Sequence, residues 1–157
     1  ELEEVAHYTS TGYQSLNRQM RECPPKFDCV GGDRRKQMDT LLNLIDRAPK
    51  FVKPVTVVRG FNIFDSKLGA AFIKTTEEHI ATGKSFNFPS ITSTTVNAEE
   101  SFAGDYRVII RTKTGVYVDK HSSNKGEKEI LVSPRTNYKV TKMEKVGDKT
   151  VIHYEEE

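Results

Sequence analysis

Two glutamates near the end of the chain, Glu127 and Glu129, are separated by one residue at the start of an apolar run. If residues 127–133 form a strand, its period of two places both carboxylates on one face, whereas Ile130 and Val132 point to the other face. Such a pair suits chemistry at a sugar carbon, where one carboxylate stabilises an oxocarbenium-like centre and the other handles a proton or orients a nucleophile. An exposed strand edge with alternating Lys and Glu is the alternative interpretation.

Two upstream segments carry polar groups that could join this site. A β-branched run over residues 55–58 ends in Arg59, which can hold phosphate, and Gly60, which lets a ligand approach the backbone closely. A hydroxyl-rich segment, Ser93-Thr94-Thr95, follows further along the chain. Ser93 lies 34 residues after Arg59 and 36 residues before Glu129. This even spacing suggests that three separate elements supply one site.

The elements that must position these residues are predicted from hydrophobic periodicity. Helices are predicted at 3–22, 35–47 and 66–81, the last as one or two helices interrupted near 74–76. In the first helix, Tyr13, Asn17 and Arg21 recur at four-residue intervals and would share one face. Strands are predicted at 55–59, 85–88, 91–95, 106–112, 116–118, 127–133, 136–145 and 149–155, with Gly147-Asp148 as a hairpin turn. This order predicts an α+β fold with a two-sheet β core and helices at one side.

Composition limits the class of protein. The 157 residues suffice for one domain with one core, although 36% hydrophobic and 29% charged residues make it a polar one. The sequence contains no apolar stretch near the length of a membrane span and no secretory signal at its present start. Its formal net charge of +2, with Lys and Arg scattered, does not indicate nucleic-acid binding. The start at Glu1 suggests a single domain, 1–157, cut from a longer protein.

The cysteines and histidines do not indicate a metal site. Cys23 and Cys29 flank a short loop that could close as a disulfide in an oxidising compartment, although reduced thiols are the preferred interpretation. No CxxC pair exists and the four histidines are scattered, so zinc is not expected. We expect the histidines to be surface or packing residues.

In the order Arg59, Ser93-Thr94-Thr95 and Glu127-Lys128-Glu129, the chain resembles the mono-ADP-ribosyltransferases of the Arg-Ser-Glu class. The resemblance covers residues 8–145. It is closest to arginine-specific bacterial toxins and effectors around residues 126–132, and residues 13–21 resemble the family's Tyr-x-x-x-Asn-x-x-Leu-Arg segment, with Met in place of Leu. Thr95 replaces the family's usual Ser. The loop at 121–126 lacks the aromatic residue with which many relatives recognise their target, so the target itself is not implied.

The resemblance implies catalytic roles for four residues. Glu129 would stabilise the positive charge that develops on the ribose of NAD, and Ser93 would orient Glu129. Glu127 would contact the guanidinium of an acceptor arginine and help to remove its proton. Arg59 would hold a phosphate or ribose of NAD.

Further residues are implied in NAD binding. Gly60 and Thr94 adjoin the catalytic residues, and Asn17 and Arg21 of the first helix would reach the pyrophosphate. Phe102 would either stack on nicotinamide or pack in the core against Ala98. NAD is thus the expected co-substrate, in an NAD cleft between the two sheets and flanked by the N-terminal helices, and no metal is expected.

The resemblance also implies partners and a setting. The expected substrate is a target protein that presents an arginine, with an immunity or activating protein as a further partner and no membrane association. The protein would be secreted or injected and would act in the cytosol of a target cell. Three alternatives stay open at this point: transfer to a non-arginine or nucleic-acid acceptor, NAD hydrolysis alone, and a non-catalytic NAD-fold binding module.

Overall fold

The structure of the protein is a computed structural model that describes residues 20–21, 31–96, 104–117 and 129–157. Most of the predicted helix at 3–22 lies outside these ranges, although Met20 and Arg21 are helical. The described part contains two longer helices, α1 (Gly32–Arg47) and α2 (Ser66–Thr82). Its strands are β1 (Val55–Phe61), β2 (Thr92–Thr95), β3 (Tyr106–Thr112), β4 (Val116–Tyr117), β5 (Glu129–Val132), β6 (Tyr138–Val146) and β7 (Lys149–Glu156).

Helix α1 forms because its apolar residues repeat at helical spacing and share one buried face. The residues on this face are Met38, Leu41, Leu42 and Ile45. The helix ends at Arg47, and the next residue, Ala48, has an extended backbone because it precedes Pro49. The prediction of a helix at 35–47 is confirmed, with the start three residues earlier, at Gly32.

Helix α2 runs without interruption, so the predicted break near 74–76 is wrong. The Asp65 carboxylate caps its start by accepting from two backbone N–H groups of the first turn, and Gly83, with φ 69°, ends it in the left-handed conformation. Inside the helix, Thr76 Oγ1 donates to the carbonyl of Phe72 over 2.8 Å. This bond satisfies the hydroxyl without a break in the helix.

The described strands form one hydrogen-bonded sheet in the order β4-β5-β2-β1-β3-β7-β6, in which β3 and β7 are parallel and the other neighbours antiparallel. Across the β1–β2 boundary, only Val58 and Thr95 pair in the described part, whereas β1 pairs with β3 along all seven of its residues. The α+β prediction is confirmed. The prediction of two sheets needs correction, because the two groups of strands join at this single pair.

The predicted strand at 85–88 is reduced to one isolated pair, between Phe86 and Tyr138. Asn87 Nδ2 donates to the carbonyl of Thr136 over 2.9 Å, so a side chain takes the acceptor that a longer ladder would use. The other predicted strands agree with the structure to within two residues at each end, and residues 118, 127 and 128 lie outside the described ranges.

Strand β5 separates two hydrophobic clusters. Leu131 belongs to the cluster that α1 forms with Met20 and Ile91. Ile130 and Val132 belong to the larger cluster on the other side. This alternation is the period-two pattern expected for residues 127–133, and it places Glu129 on the same face of the strand as Leu131.

A close approach of two backbones occurs at Gly104, which has φ 109°. A Cβ atom built there would lie 2.4 Å from the carbonyl oxygen of Phe61, at the end of β1. Gly147, in the β6–β7 turn, also has positive φ, 61°, but a Cβ there would meet nothing within 4 Å. Position 104 therefore requires glycine both because a Cβ atom would overlap the Phe61 backbone and because φ is positive. Position 147 favours glycine for its positive φ alone.

We expect Gly104→Ala to lower the free energy of unfolding by at least about 1 kcal/mol more than Gly147→Ala, because only the former adds an atomic overlap to the cost of positive φ. Denaturant unfolding of both variants measures the difference. Equal losses would mean that the Phe61 backbone is not held against residue 104.

Candidate functional site

Strand β2 brings the candidate residues together because it lies between β1 and β5. Thr95 of β2 pairs with Val58 of β1 on one side and with Glu129 of β5 on the other. Arg59 follows Val58 directly, and Ser93, two residues before Thr95, shares its face of the strand. The register therefore places Arg59, Ser93 and Glu129 at one junction of three strands.

Ser93 and Glu129 are joined by a short hydrogen bond. The Ser93 hydroxyl donates to Oε2 of Glu129 over 2.5 Å. A hydrogen bond to a carboxylate is charge-assisted and stronger than one between neutral groups. Both residues are half-buried, which shields the bond from competing water. The bond restricts the direction in which the Glu129 carboxylate can point.

Arg59 contacts the same serine through the backbone. Its Nη1 donates to the Ser93 carbonyl over 2.8 Å, and the side chain is exposed. A guanidinium carries five N–H donors, so this bond leaves donors that can reach a ligand. Ser93 is thus bonded to Arg59 through its carbonyl and to Glu129 through its hydroxyl.

Two neighbours were predicted to bind the cofactor, and the structure gives them different surroundings. Thr94 is buried, and its Oγ1 donates to the carbonyl of Ile130 over 2.7 Å. This bond fastens β2 to β5 beside Glu129, on the face opposite Ser93. Gly60 lies in β1 next to Arg59, with its backbone paired with Arg107. Neither Thr94 nor Gly60 lines the cleft described next.

A cleft of about 790 Å³ opens beside the junction, and its polar lining includes Arg21, Arg59 and Ser93. Arg21 brings the described end of the first helix to the same cleft as β1 and β2. The volume falls within the roughly 300–1,000 Å³ typical of sites for small molecules and cofactors. The two guanidinium groups suit a ligand that carries phosphates.

Aromatic side chains line another part of the cleft, and the sequence interpretation missed them: Phe61, Phe72, Phe86, Phe88 and Tyr154. The ring centroids of Phe88 and Tyr154 are 5.1 Å apart, and those of Phe86 and Phe88 are 4.9 Å apart. Burial raises the pKa of the Tyr154 phenol well above its usual value, so this wall is uncharged. The alternation of Phe86 and Phe88 just before the hydroxyl segment was the available signal.

Several residues of the predicted site lie outside the described ranges: Asn17, Phe102 and Glu127, together with Tyr13 and the two cysteines, Cys23 and Cys29. Their roles stay predictions. The structure therefore brings together Arg21, Arg59, Ser93 and Glu129 from the predicted set. These four come from a helix and three strands, and side-chain or backbone hydrogen bonds link the last three directly.

The described residues contain neither a cluster suited to a metal ion nor a helix suited to a membrane. No group of three or more His, Cys, Asp or Glu side chains there could hold a metal ion. None of the helices in those residues has the length and apolar character needed to cross a membrane. The two described histidines bond to neighbouring protein groups, His79 Nδ1 to the Thr75 carbonyl at 2.9 Å and His153 Nε2 to Glu144 at 3.4 Å.

Comparison with known sequences gives two matches. A family model described as ADP-ribosyltransferase exoenzyme matches residues 1–156. The chain is also 31% identical over 135 residues to Mav of Mycobacterium avium (strain 104), a protein provisionally described as an NAD(+)–arginine ADP-ribosyltransferase. That alignment covers 83% of this chain and 14% of Mav, so the chain spans about a seventh of the length of this relative.

Comparison with solved structures identifies the fold. An ADP-ribosyltransferase from Clostridium botulinum has a TM-score of 0.80 at 14% identity, over 99% of this chain and 85% of that one. Exoenzyme S from Pseudomonas aeruginosa, in complex with human 14-3-3 protein beta and bound to carba-NAD, has a TM-score of 0.76 at 18% identity, over 99% and 72%. At such low identities the similarity supports the fold alone, and these TM-scores confirm the ADP-ribosyltransferase fold that the resemblance implied.

Proposed function

Because the chain belongs to the ADP-ribosyltransferase exoenzyme family, we propose that it transfers ADP-ribose from NAD to an arginine side chain of a target protein and releases nicotinamide. The observation that carries this proposal is the linked arrangement of Arg59, Ser93 and Glu129. In it, the hydroxyl of Ser93 orients the Glu129 carboxylate, and Ser93 itself lines a cleft that also presents the guanidinium groups of Arg21 and Arg59. These are the groups that cleavage of a phosphorylated glycoside requires.

Glu129 acts on the ribose. Cleavage of the bond between ribose and nicotinamide develops positive charge on the sugar, and a fixed carboxylate lowers the barrier by stabilising that charge. Ser93 keeps the carboxylate oriented through its 2.5 Å bond to Oε2. Because the carboxylate is oriented before the substrate binds, little reorganisation is needed during the reaction.

Arg59 and Arg21 bind the phosphates of NAD, supported by their shared position in the lining of the cleft. Asn17 precedes Arg21 by four residues, a spacing that on a continuous helix would put both on one face, and it would add a polar contact to the phosphates. Gly60 lets the ligand approach the β1 backbone.

Two residues contribute to NAD binding from the edges of the site. Thr94 fixes the position of β2 relative to β5 through its bond to the Ile130 carbonyl, and so it contributes to NAD binding without touching NAD. Phe102 stacks on the nicotinamide ring, which the aromatic character of the cleft wall would accommodate. NAD is a co-substrate in this scheme, and no step in it requires a metal ion.

Glu127 selects the acceptor. On a strand with Glu129 it would lie on the same face, one step further from the β2 contact. Arginine is strongly basic, so a carboxylate that holds its guanidinium and takes up its proton is needed to make a nitrogen nucleophilic. The provisional description of Mav as arginine-directed supports this assignment.

The family supports a proposal for the biological setting. Residues 1–157 would form one catalytic domain, supported by the span of the family model, and the domain would belong to a bacterial toxin or effector that is secreted or injected and acts in the cytosol of a target cell. Its partners would be the target protein and an immunity or activating protein. Exoenzyme S, whose complex with a 14-3-3 protein has been solved, is a precedent for binding a second protein.

Arg59→Lys should weaken NAD binding about tenfold or more, because an ammonium group cannot reproduce the paired charge-assisted bonds of a guanidinium. Calorimetric titration with a non-hydrolysable NAD analogue measures this without turnover. Arg111→Lys is the matched control, since Arg111 is an exposed arginine of β3 outside the cleft lining. Unchanged affinity in Arg59→Lys would remove Arg59 from the NAD site.

Glu127 and Glu129 should separate two activities. Glu129→Ala should lose both transfer to protein and NAD hydrolysis by about a hundredfold or more, because both need charge stabilisation at the ribose. Glu127→Ala should lose transfer but retain hydrolysis, because water does not need to be deprotonated by Glu127 when no arginine is bound. Both activities are measured with labelled NAD and an arginine-rich acceptor protein, with Glu155→Ala as a surface-carboxylate control.

The outcomes of that experiment distinguish the alternatives. Transfer that survives in Glu127→Ala would mean that the acceptor is not arginine. Hydrolysis without transfer in the unmodified protein, with every acceptor tested, would indicate an NAD glycohydrolase. Absence of both activities in the folded, unmodified protein would support a binding module and would contradict the proposed function.

Expression of the domain in a cytosol should be toxic. We expect induced expression to arrest growth of bacterial or yeast cells, because uncontrolled ADP-ribose transfer consumes NAD and modifies cellular proteins. The Glu129→Ala form should be tolerated at the same protein level. Normal growth of both hosts, with expression verified by immunoblot, would argue against a toxin and for a regulatory transferase.

A further inference from the structure

A second cluster of polar side chains surrounds Glu156, the last residue of β7, at the end of β3 and in the turn that leads to β4. Four donors from the last residue of β3 and the turn that follows it converge on Oε1 of Glu156. They are Thr112 Oγ1 at 3.0 Å, Lys113 N at 3.2 Å, Thr114 N at 3.1 Å and Thr114 Oγ1 at 2.7 Å. A carboxylate suits this position because it only accepts hydrogen bonds.

The number of hydroxyl protons determines which groups donate and which accept around Glu156. Each threonine hydroxyl has one proton, and both protons are donated to Glu156. Thr112 must then accept from the Tyr138 hydroxyl at 3.0 Å, and Thr114 must accept from Thr136 at 3.3 Å. Burial, with the nearby charge of Glu156, raises the pKa of Tyr138 to about 12, so this phenol keeps the proton that it donates. The network is therefore fully oriented toward one carboxylate oxygen.

The turn held by Glu156 rests directly on β5. At Gly115, a Cβ atom would lie 2.6 Å from Cγ2 of Ile130, so the turn backbone is in close contact with the residue next to Glu129. The chain then enters β4, where Val116 pairs with Leu131 and Tyr117 pairs with Ile130. In the described part of the sheet, β4 comprises two residues and is the edge strand, paired with β5 alone. The turn that precedes β4 therefore contributes to holding these two residues in position.

We propose that Glu156 is a positioning residue for Glu129: it fixes the β3–β4 turn, the turn holds β4 against β5, and β5 presents Glu129 to Ser93. This inference rests on the proposed function of Glu129. In this arrangement the hydrogen bonds of Ser93 and Thr94 hold β5 from β2. The turn that Glu156 secures holds β5 from the other side. The alternative is that Glu156 contributes only to folding stability.

The test compares Glu156→Ala with the unmodified protein in steady-state NAD hydrolysis, well below the melting temperature of either. We expect kcat to fall about tenfold or more while KM for NAD changes less than about twofold, because a displaced carboxylate impairs the chemical step and not the binding of NAD by Arg59. Glu156→Gln, which keeps one acceptor oxygen, should recover part of the lost kcat. Glu155→Ala, on the neighbouring exposed residue, should leave both parameters unchanged.

Two further variants separate positioning from stability. Gly147→Ala should lower stability at a remote hairpin without lowering kcat. Thr114→Val removes one donor to Glu156 and retains the turn backbone, so it should lower kcat severalfold with KM unchanged, and it tests the proposal if Glu156→Ala does not fold. Combining Thr114→Val with Glu156→Gln should cost less than the sum of the separate effects, because both act on one network.

The results have distinct meanings. If the unmodified protein hydrolyses NAD and both Glu156→Ala and Thr114→Val retain its kcat, the positioning role is wrong and the proposed function stands. A rise in KM without a fall in kcat would equally overturn the positioning role. If the unmodified, folded protein neither hydrolyses NAD nor transfers ADP-ribose, the proposed function itself fails.

Discussion

The geometry of the candidate site depends on Ser93, which bonds to both of its charged groups. The hydroxyl donates to Glu129 over 2.5 Å, and the carbonyl accepts from Arg59 over 2.8 Å. A carboxylate on β5 and a guanidinium on β1 are therefore fixed relative to one residue of β2. Displacing a reacting group by ~1 Å can cost a hundredfold in rate, so the backbone position of β2 is as important as the identity of the charged residues.

That dependence explains the unusual β1–β2 boundary. In the described part of the sheet, Val58 and Thr95 form the one ladder pair across it. A full ladder would close the space between the strands, whereas the cleft is lined by residues of both, Arg59 and Phe61 from β1 and Ser93 from β2. The Arg59–Ser93 bond maintains the contact that the missing ladder would otherwise supply. The sheet is thus open where a ligand must enter and is connected where the charged groups must meet.

The sequence predicted the family resemblance, which the comparisons confirm, and most strand and helix positions, because these depend on local periodicity and on short motifs. It did not predict the single sheet, since register across a boundary depends on residues distant in sequence. It also missed the continuity of α2, in which the Thr76 hydroxyl bonds to a carbonyl within the helix. The strand predicted at 85–88 does not form as a ladder, because the Asn87 side chain takes the Thr136 carbonyl that such a ladder would use. The aromatic wall of the cleft was missed because Tyr154 reaches it from the last strand.

The position of β5 is a clearer case of a feature that local sequence patterns cannot predict. Its pattern at 127–133 correctly placed Glu129 on the face opposite Ile130 and Val132, but no local pattern reveals what holds the strand. On one edge Thr94 bonds to the Ile130 carbonyl, and on the other Gly115 approaches the Ile130 side chain in a turn fastened by Glu156. Thr94 and Gly115 approach the neighbour of Glu129 directly, and Glu156 acts on it only through the turn that carries Gly115. These three residues are far apart in sequence. A strand that is fixed at both edges can hold a carboxylate in one orientation, and the four described residues of β5 are fixed in this way.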